Sequence, residues 1–293
     1  MTTLLLASTP VFIGVVLVLG LLVGSFLNVV IHRVPVMLER DWRRECLALD
    51  GKEPPTEAPY DLIRPRSACP GCKAPITALH NIPVLSWLLL RGRCAGCKQP
   101  ISKRYPVVEL FTALLSVLVA TRFGPSWTTA AALVLTWYLI ALAVIDIDTQ
   151  LLPDNMTLPL LWLGLLVSLA LPVAEGARLP VDLRTAVIGA MAGYLCLWSV
   201  YQLFKLLTGK EGMGFGDFKL LAALGAWLGW QMLLPIVICA AGVGALVGLA
   251  SILLGQRAKG VPMAFGPYLA AAGWLMLMYG PPLVEAYLSL YAP

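Results

Sequence analysis

Apolar runs close to twenty residues long recur along this chain. Each is long enough to cross a hydrocarbon layer of about 30 Å as a helix, and in lipid the backbone must satisfy its own hydrogen bonds. The runs predict eight spans: 9–31, 106–122, 126–145, 157–175, 183–205, 217–231, 233–254 and 264–282. The sixth is short, and a re-entrant or buried helix is its alternative. Composition agrees with a membrane solvent. Residues are 59% hydrophobic and 13% charged, whereas soluble domains carry about 25% charge. No basic residue precedes the first run, which reads as a retained anchor rather than a signal peptide.

Charge orients the spans. The formal net charge is +5, and most Lys and Arg lie between Arg33 and Arg104. That clustering argues against a nucleic-acid surface and places 32–105 in the cytoplasm by the positive-inside rule. Both termini then face outward. Arg122, Arg178 and Arg184 fall on the opposite face, while Lys205, Lys210, Lys219, Arg257 and Lys259 fall on the cytoplasmic one. The expected fold class is an all-α polytopic membrane protein of about eight transmembrane helices, with a cytoplasmic tetracysteine insertion after the first. The expected division is 1–31 first helix, 32–105 insertion and 106–293 membrane core, with lipid around it. Residues 51–68 and 171–182 contain proline and read as loops. No internal repeat is visible.

The insertion contains CPGC at 69–72 and CAGC at 94–97. Two such turns each present a pair of thiolates and together complete a tetrahedron, the arrangement zinc favours. Cytoplasmic disulfides are uncommon. Cys69, Cys72, Cys94 and Cys97 are therefore the expected ligands of a structural Zn2+, with an iron–sulfur centre or a redox pair as alternatives. Four thiolates leave no position for a catalytic water. Cys196 and Cys239 lie in apolar spans and read as packing residues; Cys46 has no partner in sequence. His32 and His80 are too far apart to suggest a second metal site. Between the knuckles, NIPVLSWLLLRG (81–92) is too short to span. It suits the membrane surface, packing against the spans, or the core of the metal module.

Acids stand at two span edges on the same face. AVIDIDTQLLPDN (143–155) closes the third span and GFGDFKL (214–220) opens the sixth. A carboxylate at such an edge raises a functional question; ordinary loop-entry polarity is the plain alternative. Asp146 and Asp217 share one depth. Two close carboxyls share a proton, so one can activate water while the other polarises a peptide carbonyl. Gly214 and Gly216 would permit a turn and close approach of a substrate. The dipoles of their own helices favour charge on Asp217 and the proton on Asp146. Asp148 and Asp154 are the rival partners, and spacing favours Asp146 only slightly. Lys219 either balances charge near the headgroups or stays solvated.

These stretches resemble the bacterial type IV prepilin peptidases, the leader peptidase/N-methyltransferase family of GxGD-type intramembrane aspartic proteases. The matching residues are GSFLNVVIHRVP (24–35), CPGC and CAGC around NIPVLSWLLLRG, ISKRYPVVE (101–109), DIDTQLLPD (146–154) and GFGD (214–217), in family order. The resemblance implies a multi-pass enzyme of the bacterial inner membrane with a cytoplasmic catalytic face. It implies leader cleavage after glycine in type IV prepilins and type II secretion pseudopilins. Methylation of the new N-terminal residue, typically Phe, by S-adenosylmethionine then follows. The family's catalytic aspartates map onto Asp217 and onto Asp146, which begins a D-x6-P pattern ending at Pro153; the tetracysteine insertion marks the two-activity branch.

The basic leader would meet the aspartates or Glu39, Asp41 and Glu45. No dinucleotide-type glycine fingerprint marks a methyl-donor site. The region of Glu109, Asn28 and the Arg91–Gly92–Arg93 turn is where it is sought, although Glu109 also suits Arg104 or Lys103 as a polar partner. The alternatives are a peptidase without methyl transfer, an ion-coupled transporter and a non-enzymatic assembly platform. A transporter predicts a midplane site and a repeated architecture, which the edge carboxylates do not match.

Overall fold

The computed structural model describes residues 9–53, 55, 58–69, 71–77, 82–172, 179–255 and 263–289. His80, Asn81, Arg178, Arg257, Lys259 and parts of both expected loops lie outside them. Among the described residues the secondary structure is helical, with two isolated β-bridges and no strand. The chain divides into two compact units, Met1–Pro125 and Ser126–Pro293.

The first unit is built on α1 (Thr9–Leu49), the short α2 (Leu85–Leu89) and α3 (Arg104–Phe123). The boundary expected at residue 31 falls inside one continuous helix, which runs through Pro35 to Leu49. At 41 residues, α1 is about 60 Å long, roughly twice the hydrocarbon thickness. Polarity changes at Arg33, but VMLERDWRREC still suits a helix, so the chain loses its lipid character without losing its conformation. The two long helices run antiparallel at close range. A Cβ on Gly20 would stand 2.7 Å from Ala113 Cα, and one on Gly24 would stand 2.7 Å from Glu109 Cα. Small residues allow this approach where lipid offers no hydrophobic drive for helix association. Thr112 and Ser116 return their hydroxyls to the carbonyls of Val108 and Thr112, so their polarity at the seam is satisfied.

The second unit contains α4 (Trp127–Thr149), α5 (Asp154–Ala170), α6 (Leu183–Thr208), α7 (Phe215–Leu228), a 3-10 turn (Trp230–Met232), α8 (Leu233–Leu253) and α9 (Gly266–Ser289). Its core is α7, whose Phe218, Leu220, Leu221, Ala223, Leu224, Ala226 and Trp227 are all buried. Gly189 of α6 meets the Gly225 backbone, and Gly193 meets the Leu221 carbonyl. Trp227 lies against Gly164 and donates through Nε1 to Leu160 O at 2.8 Å.

Among the described residues, five helices are long and apolar enough to cross a membrane: Thr9–Leu49, Arg104–Phe123, Trp127–Thr149, Leu183–Thr208 and Trp230–Leu253. They fit a multi-pass membrane protein. The expected fourth span appears as the 17-residue apolar helix α5, and most of the expected eighth falls on the 24-residue α9, which begins at Gly266. The expected sixth span differs most. With 14 residues, α7 reaches only about 21 Å, and Gly229 ends it at φ +84°. It is a buried helix, the alternative that its short run left open.

Candidate active site and metal centre

Two knuckles form the metal centre. In each, the first cysteine's carbonyl accepts the N–H of a lysine four residues on, Lys73 or Lys98. Cys69 N–H bonds to Ala74 O and Cys94 N–H to Gln99 O. Lys73 and Lys98 adopt φ of 59° and 61°. The sequence carries this duplication as C-x2-C-K-x-P in CPGCKAP and CAGCKQP; a search for long repeats overlooks a unit this short. The four sulfurs lie within 4.8 Å of one another. Cys69 Sγ is 3.7 Å from Cys97 Sγ, and Cys72 Sγ is 3.9 Å from Cys94 Sγ. A tetrahedron with metal–sulfur bonds of about 2.3 Å has edges near 3.8 Å, so the residues fit a four-coordinate metal ion. Backbone N–H groups of Cys72 and Gly71 aimed at Cys69 pull its thiol down to about 6, whereas at Cys97 the Gln99 N–H is outweighed by burial and the other three thiols, which push it up to about 11.

The knuckles continue into a tied segment. Trp87 lies over Gly92 and donates to Ile101 O at 3.3 Å, and Ile101 N–H bonds to Gly92 O. Glu109, buried on α3, accepts the Val84 N–H at 2.7 Å. Asn28 donates to Gly24 O and Tyr105 O. Glu109, Asn28 and the 91–93 turn thus belong to one hydrogen-bonded region of the first unit. Leu85, Leu88 and Leu89 of α2 are exposed, so most of the apolar linker is not core of the metal module. Sequence reasoning missed Arg33. It is buried, donates to Asp61 O and Pro65 O at 2.7 and 2.6 Å, and stacks on Tyr60, which ties 58–66 back onto α1. Glu39 and Asp41 already pair with Arg43 and Arg44. Cys46 and Cys196 are exposed, so Cys196 faces outward from α6 rather than packing inside the unit.

The carboxyls belong to the second unit. Asp146 occupies the last turn of α4, closed by Gln150 in the left-handed region with its N–H on Asp146 O. Asp217 occupies the first turn of α7 behind Gly214. Their exposures are 4% and 7%, whereas Asp148 and Asp154 are exposed. Asp154 is engaged elsewhere, gripping Lys219 Nζ with both oxygens at 2.6 and 2.7 Å. Lys219 therefore pins the 150–154 turn to α7. Asp146 and Asp217 are near enough for their charges to interact. Asp217 Oδ1 is buried with no hydrogen-bond partner among the described residues, and Gly266 N–H donates to Asp146 Oδ2 at 2.9 Å.

That last contact removes the basis for assigning the resting charge from each acid's own helix. Asp146 ends α4, but it also meets the head of α9, so both acids stand at a helix N-terminus. The glycines act differently from one another. A Cβ on Gly216 would stand 2.6 Å from Leu152 Cβ, whereas one on Gly214 would meet only Asp217 Oδ2, at 3.9 Å. Neither has positive φ; Gly216 is needed for the approach of Leu152. An aromatic cluster of Tyr201, Phe215 and Phe218, with centroids 5.4–5.6 Å apart, holds this turn against α6. The spacing of Tyr201 from the GFGDF run gave no hint of it.

Residues 18–123 match the bacterial peptidase A24 N-terminal domain, and residues 133–249 match the type IV leader peptidase family. The chain belongs to the type IV leader peptidase family. Its first unit carries the family's bacterial N-terminal domain and its second the peptidase region. A relative from Aeromonas hydrophila, a prepilin leader peptidase/N-methyltransferase, is 57% identical over 95% of this chain and 94% of its own. Relatives with the same description from Pseudomonas aeruginosa and Neisseria gonorrhoeae are 52% and 51% identical, over 97% and 92% of this chain and 96% and 91% of their own. No solved structure matches.

Proposed function

We propose that this chain is a bifunctional membrane enzyme, a prepilin leader peptidase and N-methyltransferase. It cleaves the basic leader of type IV prepilins and pseudopilins after glycine, at the cytoplasmic edge of the inner membrane, and methylates the exposed N-terminal residue. The observation that carries the peptidase reading is the pair of buried carboxyls, Asp146 and Asp217, on separate helices of a chain whose relatives bear that description. One oxygen of Asp217 is left without a partner among the described residues. Burying an unpartnered carboxylate oxygen is costly, which suits a group whose partner is the reacting water or peptide.

The chemistry needs one ionised and one protonated carboxyl. The ionised member takes a proton from water, which attacks the carbonyl carbon of the glycine. The protonated member polarises the carbonyl oxygen, and a proton then passes to the leaving amine as the peptide bond breaks. The 150–154 turn, held by Lys219 and Asp154, sets Leu152 against Gly216 and Gly266 beside the acids. Cys69, Cys72, Cys94 and Cys97 would hold Zn2+, which supplies a closed structural cross-link in the first unit. S-adenosylmethionine supplies the methyl group as a sulfonium. A buried carboxylate suits that cation, and we place the donor site near Glu109, Asn28 and the 91–93 turn.

The test uses purified protein, a prepilin and labelled S-adenosylmethionine, with mass spectrometry following leader loss and the methyl increment. Wild type is expected to give both. Asp146→Asn and Asp217→Asn are expected to abolish leader loss while still methylating a pre-cut pilin peptide. Cleavage surviving Asp146→Asn moves the role to Asp148 or Asp154.

A further inference from the structure

The first helical residue of α9 is Gly266, followed by Pro267. A helix leaves its first N–H groups without internal partners, and a cap commonly comes from a side chain just before the helix. Here Gly266 N–H is taken by Asp146 Oδ2 at 2.9 Å, from 120 residues earlier. The same residue sets the room available. A Cβ at 266 would stand 2.6 Å from Asp146 Oδ2, 3.2 Å from its Cγ and 3.0 Å from Leu152 Cδ1. Its neighbour would therefore be the carboxylate itself. The docking of α9 onto α4 does not depend on this contact alone, because Trp274 Nε1 donates to Thr136 Oγ1 at 3.2 Å.

We infer that Gly266 is a positioning residue for the peptidase: its N–H orients the Asp146 carboxylate, and its missing Cβ leaves the space that carboxylate occupies. The inference rests on the aspartate pair being the cleaving machinery. Gly216 is the informative contrast, since a Cβ there would meet Leu152 rather than either acid. A displaced catalytic group costs rate far more than substrate affinity, and a misplacement of about 1 Å can cost about a hundredfold.

The experiment compares full-length wild type, Gly266→Ala, Gly266→Ala with Leu152→Ala, and Asp146→Asn. It measures kcat and KM for leader cleavage, together with methyl transfer to a pre-cut pilin peptide. Gly266→Ala is expected to lower kcat between about tenfold and a hundredfold, with KM and methyl transfer held and no recovery on adding Leu152→Ala. Unchanged kcat, a loss confined to KM, or recovery in the double variant overturns the inference; recovery would assign the effect to crowding of Leu152. A second measurement needs no active variant. With 15N-glycine labelling, the Gly266 amide resonance is expected to move in Asp146→Ala, and an unmoved resonance overturns the proposal even if Gly266→Ala fails to fold. Asp146→Asn that still cleaves removes the aspartate-pair reading and this inference together. An inactive Asp146→Asn beside a fully active Gly266→Ala removes this inference alone.

Discussion

In the first unit, two short loops of one pattern gather four sulfurs, and nearly every hydrogen bond that shapes them lies within a few residues. In the second unit, the carboxyls are gathered by α4 and α7, trimmed by the head of α9 and braced by a turn pinned through Lys219. The metal centre is a local construction and the aspartate pair a tertiary one. A local site is specified by spacing and fails when a ligand is lost. A tertiary site is specified by packing and can be degraded in steps from residues that never touch the reacting atoms.

The largest expected effect tests whether the two sites separate. Asp146→Asn and Asp217→Asn should reduce leader cleavage by roughly a thousandfold or more while metal content, read by elemental analysis of the purified protein, stays at the wild-type level. Metal loss in either variant would break the comparison. Next comes Cys72→Ser, which should lose the metal and lower the melting temperature of the first unit. Its cleavage should fall less than in the aspartate variants, because the metal acts through folding; structural zinc contributes about 10–16 kcal/mol in small zinc modules.

Acid should reproduce part of that loss. Metal binding needs the thiols deprotonated, so protons compete with the metal for all four sulfurs. Metal release to a chelator, followed by a colorimetric indicator, should therefore rise as pH falls.

The smallest effect concerns the brace. Lys219 and Asp154 are partly exposed, at 24% and 57%, so their pair contributes on the order of 0.5–1 kcal/mol. Lys219→Met should slow cleavage a few-fold, and the double variant with Asp154→Asn should be no slower than either single one. Additive losses would mean that the two residues act separately.

The sequence was informative wherever the physics is short-ranged. Apolar run lengths indicated a helical membrane chain, and paired C-x2-C loops named four cysteines that the fold gathers. It also named the acids as residue types at one edge, with Asp148 and Asp154 still in contention. The family resemblance already favours Asp146 through its D-x6-P pattern, and packing distinguishes the three by burying Asp146, exposing Asp148 and giving Asp154 to Lys219. The continuation of α1 through Pro35 and the burial of α7 were also decided in three dimensions. A hydropathy run reports how apolar a segment is, not whether lipid or protein surrounds it. The charge argument from helix ends failed for a related reason, since it counted the helix carrying Asp146 but not the head of α9 that meets it. Spacing along a chain encodes neighbours within a turn or two; contacts made by close backbone approach, such as Gly24 on Glu109 and Gly266 on Asp146, exist only once the helices have packed.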